Sequence, residues 1–208
     1  MSGSAIEPAR FWDGRFAESP AVYGEAPNAW LVECEAKLPP ASRVLCLAEG
    51  QGRNALWLAR RGHAVQALDL SAVAMAQLAR AAGAQGLSLE ARQQDLADWQ
   101  PTPASVDAVV LVFAHFPPDL RARVHAAAVI ALKPGGWLVL EGFAREQLGR
   151  SSGGPRELDW LFDEDALRAD FAALRIERLE RIDDVLDEGP FHQGPAVRWR
   201  SLARRALA

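Results

Sequence analysis

The sequence predicts an α/β fold: a mostly parallel sheet, doubly wound, with helices on both faces. Three observations predict it. From residue 43 onward, short apolar runs alternate with helical segments. A glycine-rich turn, Ala48-Glu49-Gly50-Gln51-Gly52, joins the first run to the first of these helices. An acid, Asp69, closes the second run, 17 residues after Gly52.

Each element has a local reason. Val44-Leu45-Cys46-Leu47 is continuously apolar, as a strand buried on both faces must be. Asn54 to Arg61 reads as a helix, with Gly62 at its C′ position and two arginines complementing its C-terminal dipole. Val65 to Leu68 is a second strand. Ser71 then caps an alanine-rich helix that stops near Gly83. Leu87-Ser88-Leu89 is a weaker third strand, and Ala108 to Phe113 a strong fourth. Pro117-Pro118-Asp119 opens the next helix, which Lys133-Pro134-Gly135-Gly136 ends before a fifth strand, Trp137 to Leu140. Asp163 to Leu174 reads as a helix. Between Arg175 and Leu186, Ile176, Leu179, Ile182 and Val185 fall three apart, which favours a helix, while the place in the fold favours a strand. Ala196 to Ala203 alternates Val197 and Trp199 with Arg198 and Arg200, the pattern of an edge strand. Residues 1–40 are rich in aromatics and prolines and too short for a core of their own. They are expected to pack on a single domain spanning 41–208.

Composition narrows the function classes. Half of the 208 residues are hydrophobic and 24% are charged, values of a folded globular chain. The net charge of −4 argues against a nucleic-acid partner. No window of about 18 apolar residues suggests a membrane span. Met1 to Glu7 lack the basic start and apolar run of a secretory leader. Cys34 and Cys46 make no disulfide framework, so a cytoplasmic location is expected. The four histidines and two cysteines lack metal-ligand spacing, and no metal is expected.

The glycine turn carries the chemistry. Ligands of doubly wound sheets bind outside the carboxyl ends of the strands. Glycines there admit close backbone approach, and the following helix N-terminus offers free N–H groups. Asp69, ending the second strand, has the acceptor oxygens to take both hydroxyl hydrogens of a ribose. The constellation reads as a nucleoside site. Gly50-x-Gly52-x-x-Ala55 formally matches the dinucleotide fingerprint, so a nicotinamide-dependent oxidoreductase is one alternative. Against it, the only tyrosine, Tyr23, forms no obvious motif with either lysine, Lys37 or Lys133.

Three further segments point elsewhere: Gln94-Asp95-Leu96, Val106-Asp107-Ala108-Val109-Val110 and Leu132-Lys133-Pro134-Gly135-Gly136-Trp137-Leu138. With the turn and Asp69 they resemble, over roughly residues 40–145, the class I S-adenosylmethionine-dependent methyltransferases. Phe11-Trp12-Asp13-x-Arg15-Phe16, Tyr23-Gly24-x-x-Pro27-Asn28 and Gly52-Arg53-Asn54 resemble its bacterial branch of tellurite-resistance and thiopurine methyltransferase-like proteins.

The resemblance implies a Rossmann-like, seven-stranded sheet in the order 3-2-1-4-5-7-6 with strand 7 antiparallel, which makes a strand of the run after Arg175. It implies S-adenosylmethionine as cofactor. Ala48, Glu49, Gly50 and Gly52 would line its methionine and ribose part, with Asn54 among the contacts. Asp69 would take the ribose hydroxyls and Leu70 pack on the adenine. Asp95 would accept from the adenine amino group, with the Leu96 N–H near the ring. Phe113 to His115 would lie beneath the cofactor. Arg15 and Tyr23 would close over it, Arg15 meeting the methionine carboxylate. Trp12 is expected to pack. One departure stands out: Cys46 and Ala48 occupy positions where the family usually has an acid and a glycine, and the acid has moved to Glu49. It motivates a second alternative, a binding relative without catalysis.

On the acceptor side, His115 is a candidate base or cofactor contact. His192, in the loop Gly189 to Pro195, is a candidate substrate contact. Gln147 to Arg156 reads as a flexible connector or lid. His63 and His125 read as surface residues, and the acids from Asp183 to Glu188 as solvated. The expected partner is a small-molecule acceptor, a thiol or a selenium or tellurium oxyanion, met by a monomer or homodimer.

Overall fold

The computed structural model describes residues 8–207. The expectation on a leader at Met1 to Glu7 lies outside them. Seven strands form one sheet: β1 (Arg43–Leu47), β2 (Ala64–Asp69), β3 (Glu90–Gln93), β4 (Val106–Val112), β5 (Leu132–Phe143), β6 (Leu174–Asp187) and β7 (Gln193–Arg205). Their order is β3-β2-β1-β4-β5-β7-β6, with β7 antiparallel to both neighbours. The helices are α1 (Pro8–Ala17), α2 (Ala29–Glu35), α3 (Arg53–Arg60), α4 (Ala72–Ala84), α5 (Pro118–Ala131) and α6 (Glu164–Asp170).

The period-2 geometry of the strands divides the core in two. Val44 and Cys46 face α2, α3 and α4 on one side of the sheet. Leu45 and Leu47 face α5 and α6 on the other. Ser71 caps α4 by accepting from the Ala74 N–H, as its position predicts. Asp163 caps α6 by accepting from the Ala166 N–H. Asp107 has a structural task at the amino end of the sheet. It accepts from the Arg43 N–H and from Lys133 Nζ, both within 2.8 Å, and so joins the starts of β1, β4 and β5.

Several expectations are corrected. The third strand is Glu90–Gln93, not residues 87–89. The fifth begins at Leu132 and runs through the Lys-Pro-Gly-Gly segment read as a helix stop. The run after Arg175 is strand, as the resemblance implies and not as its spacing does: its neighbour β7 supplies an antiparallel ladder that overrides the three-residue period. β7 itself is not an edge; it lies between β5 and β6. Glu141 on β5 is fully buried beside the arginines of β7. Arg198 donates to Glu141 Oε1 at 2.7 Å and Arg200 to Oε2 at 2.6 Å. Burial of these charges is possible because they are paired and hydrogen-bonded.

His63 and His125 are buried, not surface residues. Each meets a carboxylate, Glu35 for His63 and Asp170 for His125. The segment Gln147 to Arg156 is held rather than loose. The buried Gln147 amide donates to Ser152 Oγ and Gly153 O, its oxygen accepts from the Val197 N–H, and Ser152 donates to Pro195 O. Of the acids of 183–188, Asp183, Asp184 and Asp187 are exposed as expected, the first two pairing with Arg150 and Arg198, whereas Glu188 is largely buried against Arg53.

Candidate functional site

The carboxyl edge of the sheet gathers the turn after β1, the ends of β2 and β4, the N-terminal segment and the β6–β7 loop. The turn is made by left-handed backbone at alternate residues: Ala48 (φ 51°), Gly50 (φ 63°) and Gly52 (φ 89°). Gly52 has a packing reason as well. A Cβ there would lie 2.2 Å from Leu78 Cδ1, so only glycine lets α3 sit against α4. Ala48 pays the strain of a side chain in this region.

Asp69 ties the turn to β2. Its Oδ2 accepts from the Gly50 N–H and its Oδ1 from the Ser71 N–H, both at 2.8 Å. Burial raises its pKa, opposed by these N–H groups. A carboxylate has about four lone-pair directions, so capacity remains for a ligand. Glu49 turns inward instead. Its Oε1 accepts from the Ala55 N–H at 2.7 Å, capping α3 from the preceding loop. Burial lifts its pKa to about 7, against the pull of the Ala55 and Asn54 N–H groups and Arg53. Its charge also helps to push the buried Cys46 thiol up, after burial itself. The carboxyl group at position 49 thus caps the helix beside the thiol at position 46.

The N-terminal segment folds over the turn. Asp13 Oδ1 accepts from Ser71 Oγ and the Val73 N–H. Phe16 lies over Gly50, 3.1 Å from where a Cβ would stand. Trp12 stacks on Phe16, a packing role as expected. Gln51, an unassigned x in the glycine pattern, proves to be the fastener. It accepts from the Val22 N–H and donates to Ser19 O and Gln77 Oε1. Arg15 lies with its guanidinium 4.2 Å from the Phe191 ring centroid. Tyr23, whose pKa burial raises, sits beside it.

Asn54 has a structural partner. Its Oδ1 accepts from the Asn28 N–H at 2.9 Å, while Asn28 Oδ1 caps α2 and Asn28 Nδ2 donates to Glu188. Its side-chain oxygen is therefore engaged within the protein. Arg53, Asn54, Asn28 and Glu188 together bind three distant segments. Sequence reading singled out Asn28 and Arg53 only as motif members, and Glu188 only as surface.

His115 reaches the edge of the sheet but both ring nitrogens are occupied. Nδ1 donates to Trp160 O and Nε2 accepts from the Phe143 N–H, each at 2.9 Å. The Phe143 N–H can only donate, so the tautomer is fixed. Burial holds the pKa down at about 4. The ring is a pin between β5 and the 158–160 turn, and this engagement corrects its reading as a base. Phe113, after β4, takes a left-handed conformation (φ 54°). Leu96 is buried, Leu70 half-buried and Asp95 exposed. Asp95 Oδ1 accepts from the Ala97 N–H, shaping the turn after β3. His192 is buried among aromatic rings at the same edge.

Among the described residues, no group of three or more His, Cys, Asp or Glu side chains is placed to hold a metal ion. No helix among them is long and apolar enough to cross a membrane.

Residues 44–136 match the family described as "Methyltransferase domain". No curated protein matches in sequence. Solved structures share the fold. One, from echinomycin biosynthesis and described as converting a disulfide bond into a thioacetal group, is 24% identical with a TM-score of 0.76, over 96% of this chain and 92% of that one. TehB from Haemophilus influenzae is 18% identical with a TM-score of 0.72, over 93% and 67%. An S-adenosylmethionine-dependent methyltransferase from Methanosarcina mazei is 18% identical with a TM-score of 0.70, over 85% and 98%. The matched residues, 44–136, are those of a methyltransferase domain, a class of enzyme whose cofactor is S-adenosylmethionine.

Proposed function

We propose that the chain transfers a methyl group from S-adenosylmethionine to a small-molecule acceptor at the carboxyl edge of the sheet. The observation that carries this reading is the Asp69 carboxylate, buried at the mouth of the left-handed turn and joined to the Gly50 N–H. It supports a ribose site with a close backbone approach at Ala48, Gly50 and Gly52. The residues present fit the cofactor: beyond the Gly50 and Ser71 N–H groups the Asp69 carboxylate keeps lone-pair capacity for hydroxyl donors, and glycine at position 50 lets Phe16 close over the turn.

In this reading Asp69 receives the ribose hydroxyls, Leu70 and Leu96 flank the adenine, and Asp95 accepts from its amino group. Arg15 faces the methionine carboxylate, with Tyr23 beside it. Phe113 forms the floor. Glu49 holds the turn through α3 rather than through the ligand. When bound, S-adenosylmethionine supplies a methyl group already activated on a sulfonium. What the protein adds is alignment and exclusion of water. Orientation of this kind contributes about 7–11 kcal/mol. Phe16 and Trp12 cover the turn, and Tyr23, Phe113 and Phe143 wall the acceptor side.

Acceptor chemistry follows the earlier expectation: a thiol, or a selenium or tellurium oxyanion. A net charge of −4 supports a small molecule over a nucleic acid. A cytoplasmic monomer or homodimer completes the reading. Calorimetric titration with S-adenosylhomocysteine tests the cofactor site. Wild type should bind, and Asp69→Asn should bind about 10–100-fold more weakly through loss of charge-assisted hydrogen bonds. Binding of NAD or NADP instead would overturn the assignment.

A further inference from the structure

A cleft of about 570 Å³ lies between the N-terminal loop 24–29 and residues 184–189, the end of β6 and the loop after it. None of Ala48, Gly50, Asp69 and Phe113 lines it, so it is distinct from the cofactor turn. Its two walls meet at one end, where a Cβ on Gly189 would lie 2.3 Å from the Gly24 nitrogen. Small-molecule sites commonly have volumes of about 300–1,000 Å³.

The charges of the cleft are layered. The guanidinium groups of Arg53, Arg198 and Arg200, all largely buried, form its floor. Two buried or largely buried carboxylates face them. Glu188 pairs with Arg53, while Arg198 and Arg200 share the single carboxylate of Glu141. One positive charge is left over, and Asp184 meets it only from the exposed side, through Arg198. Donors also outnumber acceptors. Arg200 donates to Glu141 through Nε, and its two terminal nitrogens have no hydrogen-bond partner among the described residues. Arg198 Nε is buried and unpartnered. Of the buried side-chain atoms in that state among the described residues, it alone belongs to a residue lining this cleft.

Above the floor the character changes. Pro27 and Val185 give the cleft apolar walls, and Val185 is 70% exposed, outside any core. Glu25, Asp184 and Asp187 stand exposed at the lip. Glu25 and Asp187 have no ion-pair partner among the described residues. The lip would repel a bare anion and the floor a bare cation. A molecule carrying both charges, separated by a few methylenes, matches all three layers.

We propose that this cleft binds a small aliphatic zwitterion. Its carboxylate meets the terminal nitrogens of Arg200, whose planar fork suits two carboxylate oxygens. Its methylenes lie on Pro27 and Val185. Its ammonium group lies between Glu25 and Asp187. This site and the cofactor site can be filled at once.

Calorimetric titration of the whole chain with 4-aminobutanoate and 6-aminohexanoate tests this. At least one of them should bind, and more tightly than butanoate, hexanoate, butylammonium or hexylammonium. Arg200→Met should weaken the tighter zwitterion by about 10–100-fold, as loss of charge-assisted hydrogen bonds does. The double variant Glu25→Gln/Asp187→Asn, altered only at exposed positions, should weaken the zwitterion and leave the anions unweakened. Excess S-adenosylhomocysteine should not change the affinity for the zwitterion. The proposal is overturned if neither zwitterion binds, or if a simple anion or cation binds as tightly. Unchanged affinity in folded Arg200→Met would also overturn it, as would displacement by S-adenosylhomocysteine, which would place the zwitterion in the cofactor site. If Arg200→Met does not fold, the wild-type series and the double variant at the lip decide the matter.

Discussion

Arg53 and Glu188, 135 residues apart, form an ion pair at 2.5 Å with side chains only 10% and 14% exposed. The pair joins the first turn of α3 to the β6–β7 loop. Asn28 donates to the other oxygen of Glu188 and so brings the N-terminal segment into the same contact. One carboxylate thereby positions both walls around the glycine turn. Gly189 lets the two loops meet, since a Cβ there would lie 2.3 Å from the Gly24 nitrogen.

Glu188→Gln should be strongly destabilising, because Arg53 would be left largely buried without its counter-charge. Removing one partner of such a pair costs about 3–5 kcal/mol when fully buried. With the residual exposure here, urea denaturation should show a loss of about 2–4 kcal/mol. The double variant Arg53→Met/Glu188→Gln should lose less than the sum of the single losses. Additive losses would show that the pair does not act as one contact.

Ala48→Gly should leave stability unchanged or raise it by up to about 1 kcal/mol. The left-handed region costs an L-residue about 1–2 kcal/mol, and glycine's greater unfolded-state entropy cancels part of that gain. The midpoint of denaturant unfolding measures it. A marked loss would mean that the methyl group of Ala48 contributes packing that outweighs its strain.

Glu49 should make the fold less stable as pH rises. Its folded pKa of about 7 lies above the ordinary value of 4.5, chiefly through burial. Between pH 4.5 and 7 the folded state therefore binds more protons than the unfolded one, and stability falls across that window. Glu49→Gln keeps an acceptor for the Ala55 N–H and removes the titration. At pH 8 it should be more stable than wild type, and below pH 4.5 the difference should vanish. A variant less stable than wild type at pH 8 would contradict this account.

The histidines should act in the opposite sense. Burial lowers the pKa of His115 to about 4 and of His192 to about 3, from 6.5. Below pH 6.5 the unfolded chain takes up protons that these folded rings refuse. Stability should fall as pH drops from 6.5 towards 3. His115→Phe should weaken this dependence and cost about 1–3 kcal/mol through the Phe143 N–H that loses its acceptor. Its kcat, measured well below its unfolding temperature, should stay within a few-fold of wild type. A thousandfold loss would restore His115 as a base.

Much of the fold and of the candidate site was legible along the chain. Apolar runs marked β1, β2 and β4, Ser71 marked the cap of α4, and the glycines marked the turn, because each answers to its near neighbours. The burial of Arg198 and Arg200 was not, because their partner Glu141 lies 57 and 59 residues away. His63 and His125 read as exposed for the same reason, since Glu35 and Asp170 are distant in sequence.

The sequence by itself determined the order of strands and helices, the left-handed turn and the acid at the end of β2. These depend on dihedral preference and residue period, which act over a few positions. Only the tertiary structure decided which polar groups are already satisfied. Asn54 and His115 are engaged by partners 26 and 28 residues or more away, Glu188 reaches Asn28 across 160, and His192 is left with an orphan nitrogen. Hydrogen-bond partners are chosen by proximity in space, and no local pattern carries that information.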